Sequence, residues 1–200
     1  MRLVVAVTGA SGVVYAVRLL KYLSGRSDIR TVLVVSRSGE LVLKEEAGLS
    51  VSDLAGFADE HYDVDDMAAP IASGSNPVDG MAVVPCSTRT LSMVAYGHSG
   101  NLIARAAEVM LKERRRLVLV VREAPLTLAH IRAMEMVTLM GGVVLPASPA
   151  FYHRPRSIDD LVDFVVGRVL DVLGVRHDLY LRWRRREECL NNRSRASDKA

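Results

Sequence analysis

Small hydroxyl residues and glycines follow the first apolar run of the chain, at residues 8–12, where the sequence reads Thr-Gly-Ala-Ser-Gly. The run before them, residues 3–7, is typical of a buried strand, and residues 13–24 carry the apolar spacing of a helix. Such a turn directs backbone N–H groups out of the positive end of a helix, and glycine lets a ligand approach the main chain. The turn therefore predicts a phosphate or another polar head group, although similar turns also join strand to helix where nothing binds.

A second polar group, residues 87–90, follows the strand-like run 81–84 and precedes a helical pattern. Helix capping needs only one of these four side chains, so the surplus of hydroxyl and N–H donors indicates a bound anion or the edge of a polar heterocycle. Cys86 lies just before them and could be a nucleophile. Because no histidine is near it in sequence, a packed core cysteine is the favoured interpretation.

Charged residues in the second half of the chain are further candidates for a ligand site. Arg122 and Glu123 follow the strand-like run 117–121 and would bring a fixed cation and a proton carrier to a ligand. Arg168 falls on the apolar stripe of the last predicted helix, where a buried guanidinium needs a carboxylate or a phosphate as partner. Residues 159–163 of that helix match a D-D-x-x-D magnesium pattern, but their place in the first turn favours a role at the helix dipole. No metal site is predicted.

The elements that must position these residues follow from hydrophobic periodicity. Strand-like runs recur at residues 3–7, 31–35, 81–84, 117–121 and 143–145, with helical spacing between them. Near-continuous Val and Leu runs are typical of strands buried on both faces, so we expect an α/β fold with a single doubly wound parallel sheet. Ligands of such sheets bind where the loops after the strands converge.

Residues 49–79 hold several acidic side chains and one histidine. They lack a repeated metal-ligand spacing, so this segment is expected to be a surface connection with turns.

Composition favours one folded domain, residues 1–183, followed by a basic tail, residues 184–200. Of the 200 side chains 50% are hydrophobic, and the mean hydropathy is +0.17, which suits a single core at this length. The net charge of +3 owes much to the arginines of the tail, which we interpret as a solvated segment and not a nucleic-acid surface.

No apolar run reaches the roughly 20 residues that a membrane span requires, and the N-terminus does not read as a signal peptide. Two distant cysteines predict neither a disulfide framework nor a zinc site, so a cytoplasmic protein is expected.

Five motifs in order, spanning residues 3 to about 183, resemble the UbiX/Pad flavin prenyltransferases. They are Thr-Gly-Ala-Ser-Gly at 8–12, Pro-Cys-Ser and Thr-Leu-Ser at 85–92, Asn-Leu-Ile to Arg-Arg at 101–115, Arg-Glu-Ala-Pro-Leu at 122–126, and Pro-x-Phe-Tyr-His-x-Pro at 149–155. The resemblance implies a flavodoxin-like, three-layer αβα subunit that joins reduced FMN to the dimethylallyl group of dimethylallyl monophosphate without a metal. Bonds would form at flavin N5 and C6, and the prenylated FMN would serve a UbiD-type decarboxylase. It also implies a homo-oligomer, with a dodecamer expected.

The resemblance assigns roles to particular residues. Those that would contact FMN are Gly9, Ala10, Ser11, Ser36, Ser87, Thr88, Arg89, Thr90 and Arg122. Lys112, Tyr152 and Arg168 would hold the dimethylallyl phosphate, and Trp183 would close over the site. Ser11, Glu46 and Glu123 would handle protons and position the flavin, while Lys112 would stabilise the departing phosphate. The acceptor of the ring-closing proton is either Glu123 or the leaving phosphate. Lys112 ends a predicted helix that starts near the pocket, which hints that a neighbouring subunit supplies it.

Two other functions are compatible with the same residues. The first is a decarboxylating flavoprotein of similar fold, such as a phosphopantothenoylcysteine decarboxylase, whose catalytic histidine and substrate-clamp loop are not evident here. The second is a non-enzymatic binding module, which would gain no stability on adding FMN.

Overall fold

Six parallel strands form one sheet in the computed structural model, which describes residues 1–183. They are β1 (Arg2–Val7), β2 (Arg30–Val35), β3 (Glu60–Tyr62), β4 (Gly80–Cys86), β5 (Arg116–Val121) and β6 (Val143–Pro146). The strand order is β3-β2-β1-β4-β5-β6, and every neighbouring pair is parallel. The direction of winding reverses between β1 and β4, so the predicted doubly wound sheet is confirmed, with its crossover at these two strands.

Within residues 1–183, seven helices cover the two faces of the sheet. They are α1 (Val13–Ser24), α2 (Arg37–Ala47), α3 (Val51–Ala55), α4 (Thr88–Ala95), α5 (Leu102–Lys112), α6 (Leu128–Leu139) and α7 (Ile158–Leu173), with a 3-10 turn at Pro70–Ala72. Helices α1, α2, α3 and α7 contribute to one apolar core, and α4, α5 and α6 contribute to the other. The predicted three-layer αβα architecture follows from this division.

Alternation along the strands explains why both faces are buried. In β1, Val4 and Ala6 point into the core beneath α4 and α5, whereas Leu3, Val5 and Val7 point into the core beneath α1 and α7. Successive side chains of a strand face opposite ways, so a strand covered on both sides must be apolar at every position.

The segment predicted as a surface connection is more structured than expected. It contains α3 and the edge strand β3, whose Glu60 pairs in register with Val32 of β2. The Asp59 carboxylate accepts hydrogen bonds from the backbone N–H and hydroxyl of Thr31, at 2.7 and 3.2 Å. Glu60 accepts from Arg2 and from the Tyr62 hydroxyl, at 2.8 and 2.7 Å. These carboxylates therefore hold the edge of the sheet.

The D-D-x-x-D pattern has structural partners. Ser157 and Asp160 form the predicted capping box of α7, and Asp163 binds Arg18 of α1 through two hydrogen bonds of 2.5 and 3.1 Å. Among residues 1–183, no group of three or more His, Cys, Asp or Glu side chains could hold a metal ion. No helix in that range is long and apolar enough to cross a membrane.

Candidate functional site

Thr8 joins the loop after β1 to the loop after β4. Its side chain is almost fully buried, its hydroxyl donates to the Pro85 carbonyl at 2.8 Å, and the same oxygen accepts the Ser87 N–H at 2.8 Å. A buried hydroxyl that both donates and accepts fixes the two loops on either side of the crossover. This role of Thr8 was not predicted, because it depends on a contact between residues 77 positions apart.

Gly9 and Ser38 bring the loop after β2 against the same point. A Cβ atom added to Gly9 would lie 2.5 Å from the Ser38 Cβ, so only glycine permits this approach. Ser36 begins α2 as its N-terminal cap, with its hydroxyl accepting the Gly39 N–H at 3.0 Å. Its own N–H donates to the Val7 carbonyl at 2.9 Å. The loops after β1, β2 and β4 therefore converge as predicted.

A cleft of about 220 Å³ lies between the segments that follow β2, β3 and β4 and the start of α5. The predicted flavin contacts Gly9, Ala10, Ser11 and Arg122 are not among its lining residues. Its polar lining includes the predicted residues Ser36, Ser87, Arg89 and Thr90, together with Ser38 and Asn101, which were not predicted. Ser87 caps α4 by accepting the Thr90 N–H at 3.3 Å, and Asn101 caps α5 by accepting the Ala104 N–H at 2.9 Å. Thr88, predicted as a flavin contact, is half-buried in the first turn of α4 and is not among the lining residues.

The donor chemistry of this cleft fits a phosphate ester. Helices α2 and α4 start at its wall and are capped by the hydroxyl groups of Ser36 and Ser87. The exposed Arg89 adds a cation. Asp65 also lines the cleft, but its carboxylate is paired with Arg37 at 2.5 Å. Helix N-termini and hydroxyl donors favour an anion, and the paired Asp65 does little to oppose it.

Glu46 organises the glycine turn from the far end of α2. Its Oε2 accepts the N–H groups of Gly12 and Val13, at 2.8 and 3.1 Å. Partial burial raises the pKa of the Glu46 carboxyl, but hydrogen bonds from the Ser11 hydroxyl and these two N–H groups outweigh it and lower that pKa overall. Glu46 therefore holds a negative charge at the start of α1, where Gly12 has a φ of 107°.

Arg122 and Glu123 follow β5 at the same edge of the sheet. The Arg122 Nε donates to the Ser11 carbonyl at 3.1 Å, which places its guanidinium beside the glycine turn, as predicted. Both side chains are exposed, and Glu123 accepts only the Ala124 N–H among the described residues, at 3.1 Å. The glycine turn thus carries the Glu46 carboxylate on its N–H groups and the Arg122 guanidinium on the Ser11 carbonyl.

Cys86 is fully buried beneath this cleft. Burial raises the pKa of its thiol far above the ordinary range, so the nucleophilic thiolate is not available. The packing interpretation of Cys86 is confirmed.

Tyr152 and Trp183 lie together, in an aromatic group with Phe164 of α7. The Tyr152 ring meets the Trp183 ring edge to face, with 5.0 Å between ring centroids, and meets the Phe164 ring at 6.0 Å. Tyr180 packs on Phe164 at 4.8 Å, and its hydroxyl lies 3.4 Å from the Arg168 guanidinium. Tyr152, Arg168 and Trp183 are therefore parts of one region, as their shared predicted role requires.

Arg168 is not buried, contrary to the expectation from its position on the helical stripe. Its side chain is 47% exposed and pairs with Asp171 at 2.9 Å. The buried positions of α7 are Val165, Val166 and Val169, among others, and Arg168 lies at the margin of that face. A long side chain at such a margin reaches solvent with its charged end, which removes the need for a buried anion.

Lys112 and Arg168 do not meet within one chain. Lys112 ends α5, about 16 Å along the helix from Asn101 at the cleft, and forms an ion pair with Glu113. Helices α5 and α7 cover opposite faces of the sheet. The phosphate ligands predicted from the sequence are thus separated by the sheet in a single subunit.

The doubly wound sheet and the anion cleft at the carboxyl ends of its strands define an α/β flavoprotein. The Flavoprotein family model matches residues 1–170. Flavin prenyltransferase UbiX from Aquifex aeolicus is 51% identical over 187 residues, which cover 92% of this chain and 98% of that protein. The chain belongs to the UbiX family of flavin prenyltransferases, as its motifs predicted, and is a prenyltransferase.

Solved structures agree with this assignment. The crystal structure of AnUbiX (PadA1) in complex with FMN and dimethylallyl pyrophosphate has a TM-score of 0.88 at 46% identity, covering 91% of this chain and 96% of that one. The dodecameric FMN-dependent Ubix-like decarboxylase from Escherichia coli O157:H7 has a TM-score of 0.90 at 42% identity, covering 92% and 100%.

Proposed function

We propose that the protein transfers the dimethylallyl group of dimethylallyl monophosphate to reduced FMN. The donor C–O bond breaks and releases phosphate, and the allylic carbon bonds flavin N5, which loses its proton. The alkene then takes up a proton at its CH carbon while its dimethyl-substituted carbon bonds C6, which loses a proton, so FMN gains one C5H8 unit. The observation that carries this proposal is the cleft of hydroxyl and cation donors at the carboxyl ends of β2 and β4, in a chain of this family. The prenylated FMN then serves a UbiD-type decarboxylase.

Residues of the crossover hold and orient FMN, which supplies the nucleophilic ring atoms when bound. Ser36, Ser87 and Thr90 direct hydroxyl groups and helix N-termini at its phosphate, and Arg89 adds charge. Gly9, Ala10, Ser11 and Thr88, which do not line this cleft, contact the rest of FMN. The absent Cβ of Gly9 admits Ser38, so the close packing of these two loops shapes the surface on which FMN lies.

Proton control falls to the residues around Ser11. The Glu46 carboxylate stays ionised, since the donors around it lower its pKa, and it therefore keeps Ser11 and the start of α1 in one arrangement. Either Glu123, which is exposed at the same sheet edge, or the departing phosphate accepts the proton from the ring. Arg122 holds the Ser11 carbonyl at 3.1 Å and supplies a fixed positive charge.

Phosphate departure is assisted by Lys112, Tyr152 and Arg168. Negative charge grows on the phosphate oxygens as the allylic C–O bond breaks, so preorganised cations lower the barrier without a metal. Trp183 covers the dimethylallyl group from the Tyr152 side. Because the sheet separates Lys112 from Arg168 in one chain, the complete site forms between subunits of a homo-oligomer, which we expect to be a dodecamer.

The outer face of α6 suits such an assembly. Leu128, Ile131 and Leu139 are 69%, 50% and 74% exposed there. Leu139 also borders a groove of about 510 Å³ that contains Lys112. A second copy packed on this face would cover the apolar side chains and lie beside Lys112.

Anaerobic incubation with reduced FMN and dimethylallyl monophosphate tests the proposal. Mass spectrometry should show FMN heavier by one C5H8 unit, and dimethylallyl pyrophosphate serves as the second donor. Lys112→Ala and Arg168→Ala should still bind FMN but make little product, whereas Lys44→Ala, at an exposed lysine on α2, should behave as wild type. Unmodified FMN with both donors would refute the transfer, and normal product from either phosphate variant would refute that residue's role.

A decarboxylase activity is the alternative. No histidine is among the residues that line the described cleft, so the acid–base group expected for that chemistry is missing there. Release of CO2 from an offered carboxylic acid, without prenylated product, would favour the alternative.

A further inference from the structure

One carboxylate ties together two parts of the proposed substrate region. Asp171 lies in the last turn of α7, and its side chain is only 20% exposed. Its Oδ2 accepts the Arg168 Nη1 at 2.9 Å and the Tyr180 hydroxyl at 2.6 Å. Its Oδ1 accepts the Arg182 Nη2 at 2.8 Å and lies 3.1 Å from the His177 Nε2. A single side chain thus contacts a helix residue and three residues of the segment 175–183.

That segment depends on side-chain contacts for its position. Within residues 175–183 there is no helix or strand. His177 accepts the Leu179 N–H with its Nδ1 at 3.3 Å, which leaves the Nε2 to carry the proton that Asp171 accepts. Gly167 leaves space for the two rings to pack on α7, because a Cβ there would lie 2.5 Å from the Tyr180 ring and 2.7 Å from the His177 ring.

Trp183 ends the same segment, with its ring on Tyr152. Asp171 is therefore a single anchor for both the Arg168 side chain and the segment that carries Trp183. Burial raises the pKa of the Asp171 carboxyl, but hydrogen bonds from Arg182, Tyr180 and His177 outweigh it and lower that pKa to about 2. The anchor is ionised under all ordinary conditions.

We propose that Asp171 is a positioning residue, which holds the Arg168 guanidinium and the Trp183-bearing segment in one arrangement so that the phosphate site and its aromatic cover form together. This inference rests on the proposed roles of Arg168 and Trp183. Asp171 does not contact the donor itself. It acts through Arg168, whose guanidinium retains other N–H groups for a phosphate while Nη1 is held.

Asp171→Asn removes the charge with little change in shape, and Asp163→Asn is its matched control. Asp163 lies on the same helix, its side chain is also 20% exposed, and it too binds an arginine, Arg18 of α1. It makes no hydrogen bond or ion pair with residues 175–183 in the described structure. Both variants should leave FMN affinity within about twofold of wild type.

Trp183 is the only tryptophan of the chain, so its fluorescence reports the segment without any catalysis. Its side chain is 67% exposed when docked, and full exposure would raise acrylamide quenching by about 1.5-fold. Asp171→Asn should show this rise and Asp163→Asn should not. In the transfer assay, Asp171→Asn should lower kcat/KM for dimethylallyl monophosphate by about 10–100-fold, the range typical of residues that orient a ligand-binding group.

The two readouts separate the possible failures. If wild type makes no prenylated FMN, the proposed function fails, yet quenching still tests the anchor. If Asp171→Asn matches Asp163→Asn in both quenching and kcat/KM, the anchor is refuted. Should Asp171→Asn fail to fold, Tyr180→Phe, which removes one donor to Asp171, should raise quenching in the same direction, and unchanged quenching would overturn the inference.

Discussion

Replacing Glu46 by Gln tests whether its charge holds the glycine turn. Gln keeps the shape and one acceptor oxygen, but the bonds to the Gly12 and Val13 N–H groups become neutral. Hydrogen bonds to charged groups contribute about 1.5–3 kcal/mol and neutral ones about 0.5–1.5 kcal/mol. Because Glu46 is exposed overall, solvent screening reduces the loss for both bonds to about 1–1.5 kcal/mol in total.

The loss should be visible in the melting temperature and in hydrogen exchange. For a chain of this size, each kcal/mol shifts Tm by about 2–4 °C, so Glu46→Gln should melt about 2–6 °C lower at pH 7. Protection of the Gly12 and Val13 amides should fall about tenfold, the equivalent of 1.4 kcal/mol. Glu45→Gln is the control, since Glu45 is exposed on the same helix and has no hydrogen bond or ion pair among the described residues.

The stabilisation that Glu46 contributes should decrease as the pH falls. The folded pKa of Glu46 lies below its ordinary value, so the stabilisation is fully present above that ordinary value and is lost as pH falls through the folded pKa. The difference in Tm between Glu46→Gln and wild type should therefore narrow at about pH 3.5. An equal difference at both pH values, or a shift no larger than that of Glu45→Gln, would refute the charge argument.

Two further substitutions follow from contacts described above. Gly9→Ala places a Cβ 2.5 Å from that of Ser38, so FMN affinity, measured by flavin fluorescence titration, should fall at least about fivefold for the 1–3 kcal/mol that overpacking costs. Adding Ser38→Gly should restore much of that affinity, and normal binding by Gly9→Ala alone would contradict the close approach. Ile131→Asp should reduce the oligomer mass seen by light scattering, because the change puts a charge on the exposed apolar face of α6, between Leu128 and Leu139. Leu41→Asp, at an exposed leucine of α2, should not, and equal loss in both would argue against that face.

The parts of the fold that were predictable are those where burial dictates residue type. Strands β1, β2, β4 and β5 are covered on both faces, so each is a nearly continuous apolar run. Strand β3 is Glu-His-Tyr at the edge of the sheet, held by ion pairs and a short register with β2. No hydrophobic signal marks such a strand, and it could not be recognised from the sequence.

The residues of the candidate site also divide into those that could be predicted from the sequence and those that could not. Ser87 was recognisable because a hydroxyl before a helical pattern has a local reason to be there, whereas Ser36 was assigned only through the family resemblance. Thr8 and Asp171 act through partners brought near by the fold, so nothing in their sequence neighbourhood marks them. Burial of Arg168 was predicted wrongly because helical periodicity gives only the direction of the Cα–Cβ bond. The long arginine side chain can still extend its charged end into solvent.

Because the predicted phosphate ligands are separated within one subunit, activity should depend on assembly of the oligomer. Lys112 and Arg168 lie on helices that cover opposite faces of the sheet, and no rotation of either side chain could bring them around it. If both bind one phosphate, they come from different subunits, and Lys112 borders the groove that ends at Leu139 of α6. A subunit that folds and binds FMN at its own crossover would then lack catalytic power until a neighbour supplies the missing cation. Mixing inactive Lys112→Ala and Arg168→Ala subunits should accordingly restore some product, because a mixed oligomer contains interfaces at which both wild-type residues meet.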